Sequence, residues 1–185
     1  MKKIGIILAI LVALSFSACR SVEHVPGGGL WPQAISDFMR TAPDDVLYGI
    51  GVANMASLSH SRTMAATRAR AELARQMGVL VEDMVRDYVA GSEVDHRAVV
   101  AFQENITVQL ARAELVGSTV VMEDRDHEGV WALVMMNRAD VAREINQAQA
   151  LARLAVPAMA SFDAEARMNE AFDRHDSRQQ VQIQR

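Results

Sequence analysis

The chain of 185 residues has one cysteine, two lysines and few aromatic residues, and each scarcity closes off a class of protein. A lone thiol, Cys19, excludes a disulfide within the chain. Lys2 and Lys3 are the only lysines. A chain beginning at Cys19 would carry 17 arginines against 23 acids, a net charge of −6, and no lysine at all. That excludes Schiff-base chemistry and a lysine-bearing phosphate loop. Aromatics make up only 5% of a sequence that is 50% hydrophobic. The core must therefore come from Ala, Val, Leu and Met, which suits helices packed closely on something flat. The net charge of −4 argues against a nucleic-acid partner, which needs a clustered basic face. The length fits one domain.

What is present begins with an export signal. Lys2 and Lys3 form a positive start, Ile4 to Phe16 is an apolar run of 13 residues, and Ser17-Ala18 supplies small residues before a cut. A run of 13 is too short for a hydrocarbon core, which takes about 20 helical residues. Phe16-Ser17-Ala18-Cys19 resembles the lipobox of bacterial lipoproteins, although the first box position is usually leucine. The resemblance implies cleavage between Ala18 and Cys19, a diacylglyceryl group on the Cys19 sulfur and an N-acyl group on the new terminus. An aspartate at position 20 would favour the inner membrane; its absence, with Arg20 there instead, implies the outer membrane. The periplasmic and cell-surface faces both stay open.

Residues 19–42 read as a lipidated tether. Gly27, Gly28 and Gly29 follow Pro26 without apolar periodicity, and a short helix at Trp31–Arg40 places Ile35, Phe38 and Met39 on one side. After a turn at Pro43-Asp44-Asp45, Val46 to Asn54 reads as a strand whose Gly49 and Gly51 admit a closely packed helix. The third glycine of a dinucleotide loop is missing, since position 54 is Asn. Ser57 to Met77 is helical with a small face of Ala65 and Ala69 beside Glu72, Leu73 and Met77. Gly78 to Ala90 fits either a continued helix or a strand. Asp95 to Leu115 is amphipathic through Val99, Phe102, Ile106, Leu110 and Ala113. Thr119–Glu123 and Val130–Met136 form a hairpin, with Trp131 in one face of the sheet. Asp140–Ala155 and Met159–His175 are further helices, the second with a stripe of Met159, Phe162, Ala166, Met168 and Phe172. Ser177 to Arg185 is a polar, frayed tail that could meet a partner.

Groups capable of chemistry are dispersed. Arg62, Arg68, Arg70 and Arg75 suit an ion-paired surface, with Arg68 and Glu72 as an i,i+4 pair. Asp124, Asp126, His127 and Glu128 lack the ligand pattern of a calcium or zinc site. His24, His60, His96, His127 and His175 belong to no catalytic signature, although His60 and His96, each near a helix start, could face each other. No catalytic residue, metal ligand or cofactor site is assigned.

The order of Tyr48-Gly49-Ile50-Gly51, Ala65-Ala66 through Ala71-Glu72-Leu73-Ala74, Leu115 to Val121 and Trp131-Ala132-Leu133-Val134 resembles the Lpp-twenty lipoprotein family. The resemblance covers about Val46 to Arg138. It implies an α+β fold, a mostly antiparallel sheet with helices packed on one face, and no catalytic residues; a similar domain occurs in a flagellar assembly protein. The expected organisation is a signal at 1–18, a tether at 19–42, an α+β domain at 43–138 and a C-terminal helical extension with its tail at 139–185. The expected role is a non-enzymatic envelope scaffold or accessory subunit, held by lipid and meeting an envelope protein. A small-ligand or peptide carrier and a flagellum-associated assembly factor are the alternatives.

Overall fold

The computed structural model describes residues 31–43, 45–113 and 115–183, with side chains as far as Ser177. The described chain is α+β. Its elements are α1 (Gln33–Thr41), β1 (Val46–Ala53), α2 (Leu58–Val89), α3 (His96–Arg112), β2 (Thr119–Arg125), β3 (Val130–Asn137), α4 (Arg138–Ala155) and α5 (Met168–Ile183). Two 3₁₀ turns, Pro157–Met159 and Glu165–Arg167, lie between α4 and α5.

The sheet is antiparallel in the order β1-β3-β2, and its register runs from Val46 opposite Asn137 to Ala53 opposite Val130. Alternation along the strands sends side chains to two faces. Leu47, Ala53, Val130, Ala132, Val134 and Met136 turn towards α2 and the main core. Val46, Tyr48, Trp131 and Leu133 turn the other way and pack with Ile35 of α1, while Trp31, Phe38 and Met39 close over them. The expectation of helices on one face thus covers only the larger layer. The second face of β1 and β3 is as apolar as the first, and α1 removes it from water. Trp131 is a core residue of this second layer.

Glycine decides how α2 meets the sheet. A Cβ at Gly49 would overlap the Ala69 carbonyl, and one at Gly51 would lie 2.8 Å from Arg68 Cβ and overlap the Ala65 carbonyl. Ala65, Ala69, Leu73 and Met77 are fully buried along this contact. The helix then continues through Gly78, which resolves the ambiguous segment as helix. At 1.5 Å per residue α2 is about 48 Å long, against about 26 Å for an eight-residue strand. Its second half therefore overhangs the sheet and carries large apolar side chains, Leu80, Val81, Met84 and Val85, that need other cover.

That cover comes from α3 and the C-terminal segment. Val99, Phe102, Ile106 and Leu110 are buried as the periodicity of α3 predicts, and they share one cluster with Val141, Ile145, Ala148 and Ala152 of α4. The helix expected at Met159–His175 begins only at Met168. Pro157 starts a 3₁₀ turn instead, whose Met159 is buried, and the chain between the two turns inserts Phe162 and Ala164 into the core, while Ala166 is exposed. Phe162 meets Tyr88 and Phe102 edge-on at centroid distances of 5.6 and 5.3 Å. The buried Ala164 N–H donates to Gln149 Oε1 at 2.8 Å. Arg138 lies 4.5 Å over the Phe172 ring and near Asp173 and Asp176, and Arg174 pairs with Asp87. The region expected as a frayed tail continues α5 to Ile183.

Candidate functional site

Ala18 and Cys19, the expected cleavage and lipidation positions, lie outside the described residues, as does His24. Of the other histidines, His60 starts α2 and His96 starts α3. The whole length of α2 separates these two positions, about 40 Å or more at helical rise, so they do not face each other. His127 sits at the exposed hairpin tip and His175 is buried on α5. Among the described residues no three His, Cys, Asp or Glu side chains come close enough to hold a metal ion.

The acidic hairpin loop has a structural use. Asp126 Oδ1 accepts the Glu128 and Gly129 N–H groups at 2.8 and 3.2 Å and closes the turn between β2 and β3. Desolvation raises the Asp126 pKa, but these N–H groups and the nearby Trp131 indole outweigh it and hold it below the ordinary aspartate value. The indole nitrogen closes no hydrogen bond of proper geometry, so the two backbone donors are the main holders.

The arginines of α2 are placed differently from the expected pattern. Glu72 pairs with Arg75 rather than Arg68, through Arg75 Nε at 2.9 Å and Nη2 at 2.5 Å. Gln76 also donates to Glu72, and these bonds, Arg75 foremost, hold its carboxyl below the ordinary glutamate range against the opposing effect of burial. Arg68 turns to the sheet and donates to the Val52 carbonyl at 2.5 Å, because strand and helix run so close at Gly51. Arg62 reaches Glu123 on β2 at 3.2 Å. Among the described residues Arg70 has a single bond, from Nε to Ser118 Oγ at 3.1 Å.

Beside Arg70 lies a groove of about 430 Å³ between α2 and the C-terminal end of α3. Leu110 and Leu115 form its floor and are nearly fully buried. Ala71 and Ala74 on α2, with Ala111 and Ala113 opposite, leave the space open. Thr67, Arg70, Arg75 and Thr107 supply its polar positions. Leu115 holds a φ of +48°, a left-handed conformation that costs a non-glycine residue about 1–2 kcal/mol. Burial of its side chain beneath the groove offsets that cost. Gly117 follows at φ +96°, pressed against the Asp140 side chain, and the turn closes with Ser118 N–H donating to the Leu115 carbonyl at 2.9 Å. The same turn that forms the floor therefore brings Ser118 to Arg70.

A second groove of about 420 Å³ lies on the other side of the α3 end, against α4. Two cations line it, Arg112 and Arg143; Arg143 is bound to Asp140 and to the Val116 carbonyl, and Glu144 adds a carboxylate to the wall. Sequence reading missed both grooves, since the walls of each come from two segments far apart in the chain. The only local signal was alanine at helix positions facing a core.

No protein-family model, curated protein or solved structure matches this chain.

Proposed function

We propose that this protein is a bacterial envelope lipoprotein, anchored through acyl groups on Cys19, whose α+β domain acts as a non-enzymatic scaffold or accessory subunit at the outer membrane. The observation that carries the reading is the position of the only cysteine. Cys19 follows two small residues at the end of a 13-residue apolar run that opens with Lys2 and Lys3. Two acyl chains hold a protein on a bilayer where one is marginal, since each buried methylene contributes about 0.8 kcal/mol. Confinement to the membrane raises the effective concentration of a partner in the same layer. The resemblance to Lpp-twenty lipoproteins belongs to this proposal and adds to it.

None of the described helices is long and apolar enough to cross a membrane. The reading as a non-enzyme rests on the absence of a catalytic signature in the sequence and on the distance between His60 and His96.

The test is the intact mass of the protein purified from bacterial membranes, with Cys19→Ser beside it. A mass for residues 19–185 plus two or three acyl chains, missing from the variant, supports the anchor. An unmodified mass with the cut elsewhere overturns it.

A further inference from the structure

We propose that the groove between α2 and α3 is a binding site for a free medium-chain alkyl carboxylate, with Arg70 holding the carboxylate and the alanine-lined channel holding the chain. This inference goes beyond the anchor reading and does not depend on it. Three observations converge. The groove's volume of about 430 Å³ falls within the range of small-ligand sites. Leu110, Leu115 and four alanines make the larger part of its lining apolar, which matches an alkyl chain, and the polar residues Thr67, Arg70, Arg75 and Thr107 complete it.

The third observation is charge. Two cations line the groove, and Arg75 is neutralised by its two bonds to Glu72. Arg70 forms no ion pair with a carboxylate among the described residues; its Nε is fixed by Ser118, which leaves the Nη donors of the fork available. A guanidinium held in place at the edge of an apolar channel suits a carboxylate, whose two oxygens match the fork. The groove beside α4 is less suited to an anion: Arg143 is committed, and Glu144 stands in the same wall as the second cation, Arg112, where it would repel a carboxylate.

The test uses the full chain, as purified, with a diazirine-bearing decanoate as photoprobe and the corresponding alcohol as its twin. Labelled peptides are identified by mass spectrometry. The expected result is saturable labelling confined to 67–75 and 107–115, displaced by decanoate and at least tenfold weaker with the alcohol. Arg70→Gln should reduce labelling about tenfold, the size of one lost charge-assisted bond. Ala74→Trp should abolish it by filling the channel, and Arg97→Gln, at the far end of α3, should leave it unchanged. Circular dichroism of each variant separates loss of binding from loss of fold. Scattered labelling, equal labelling by the alcohol, or an unchanged Arg70→Gln overturns the proposal. So does displacement by a short apolar peptide but not by decanoate. Labelling that arises only in Cys19→Ser assigns the groove to the chain's own acyl groups and likewise overturns the free ligand.

Discussion

Gly49 lies directly against the carbonyl of Ala69, so close that a Cβ at the strand position would overlap the oxygen and stand 3.0 Å from the Leu73 nitrogen. The obstacle is helix backbone, which cannot change rotamer to make room. Gly49→Ala should therefore push α2 off the sheet and cost about 3 kcal/mol, the upper part of the overpacking range. Gly78→Ala makes the opposite prediction. A Cβ at Gly78 meets nothing within 4 Å, so the change should stabilise α2 by about 0.5–1 kcal/mol through helix propensity alone. Urea denaturation of the two variants beside the parent reads both signs.

Phe162 joins the overhanging half of α2 to α3, through its edge-on contacts with Tyr88 and Phe102. It is fully buried in the same cluster as Leu47 and Met136 of the sheet. Phe162→Ala should cost about 3–5 kcal/mol. Because one core spans the sheet, α2, α3 and the C-terminal segment, the loss should lower a single transition. Far-ultraviolet ellipticity and tryptophan fluorescence, from Trp31 and Trp131 in the second layer of the sheet, should shift together in urea; a separate early transition in ellipticity would show that the C-terminal helices fold apart from the sheet.

The legible parts of this fold were those carried by local periodicity. Val99, Phe102, Ile106 and Leu110 repeat at helical spacing, and all four are buried. Gly49 and Gly51 in an apolar strand announced a close helix, and α2 lies there. The region after Pro157 was misread because Met159 and Phe162 fit an α-helical stripe, yet they reach the core from a 3₁₀ turn and from the irregular chain after it. A period describes spacing, and tertiary burial can satisfy the same spacing with a turn. The pairing of Glu72 depended on side-chain reach across the helix surface: Arg68 had a sheet carbonyl within range, which no i,i+4 rule includes. The groove was invisible for a third reason, since Arg70 and Ser118 are 48 positions apart and meet only through the Leu115 turn.

Asn137 ends β3 and caps α4 with no residue between them. Its Oδ1 accepts the Asp140 N–H at 2.8 Å, and its Nδ2 donates to Asp140 Oδ2 at the same distance. Loss of this cap in Asn137→Ala should cost about 1 kcal/mol. Asn137→Asp keeps the acceptor but places a second carboxylate beside Asp140, so it should recover only part of the loss at neutral pH. It should recover more at high salt, which screens that repulsion. Urea midpoints of the two variants at pH 7, at low and high salt, test the order.

Glu72 gives the fold an acid-sensitive contact. Its bonds from Arg75 and Gln76 favour the charged carboxylate, so its pKa in the folded chain lies below that in the unfolded chain. A depressed carboxyl pKa stabilises the fold fully above the unfolded-state pKa, and the contribution is lost as pH falls through the folded one. Stability should therefore decline below the ordinary glutamate range, and Glu72→Gln should flatten part of that decline while lowering stability modestly at pH 7. The pair is substantially exposed, so solvent screening keeps the effect small and sensitive to salt. Urea midpoints from pH 7 to pH 3, for parent and variant at low and high salt, test the sign. An acid limb of equal slope in both chains would mean that the Glu72–Arg75 contact contributes nothing to folding.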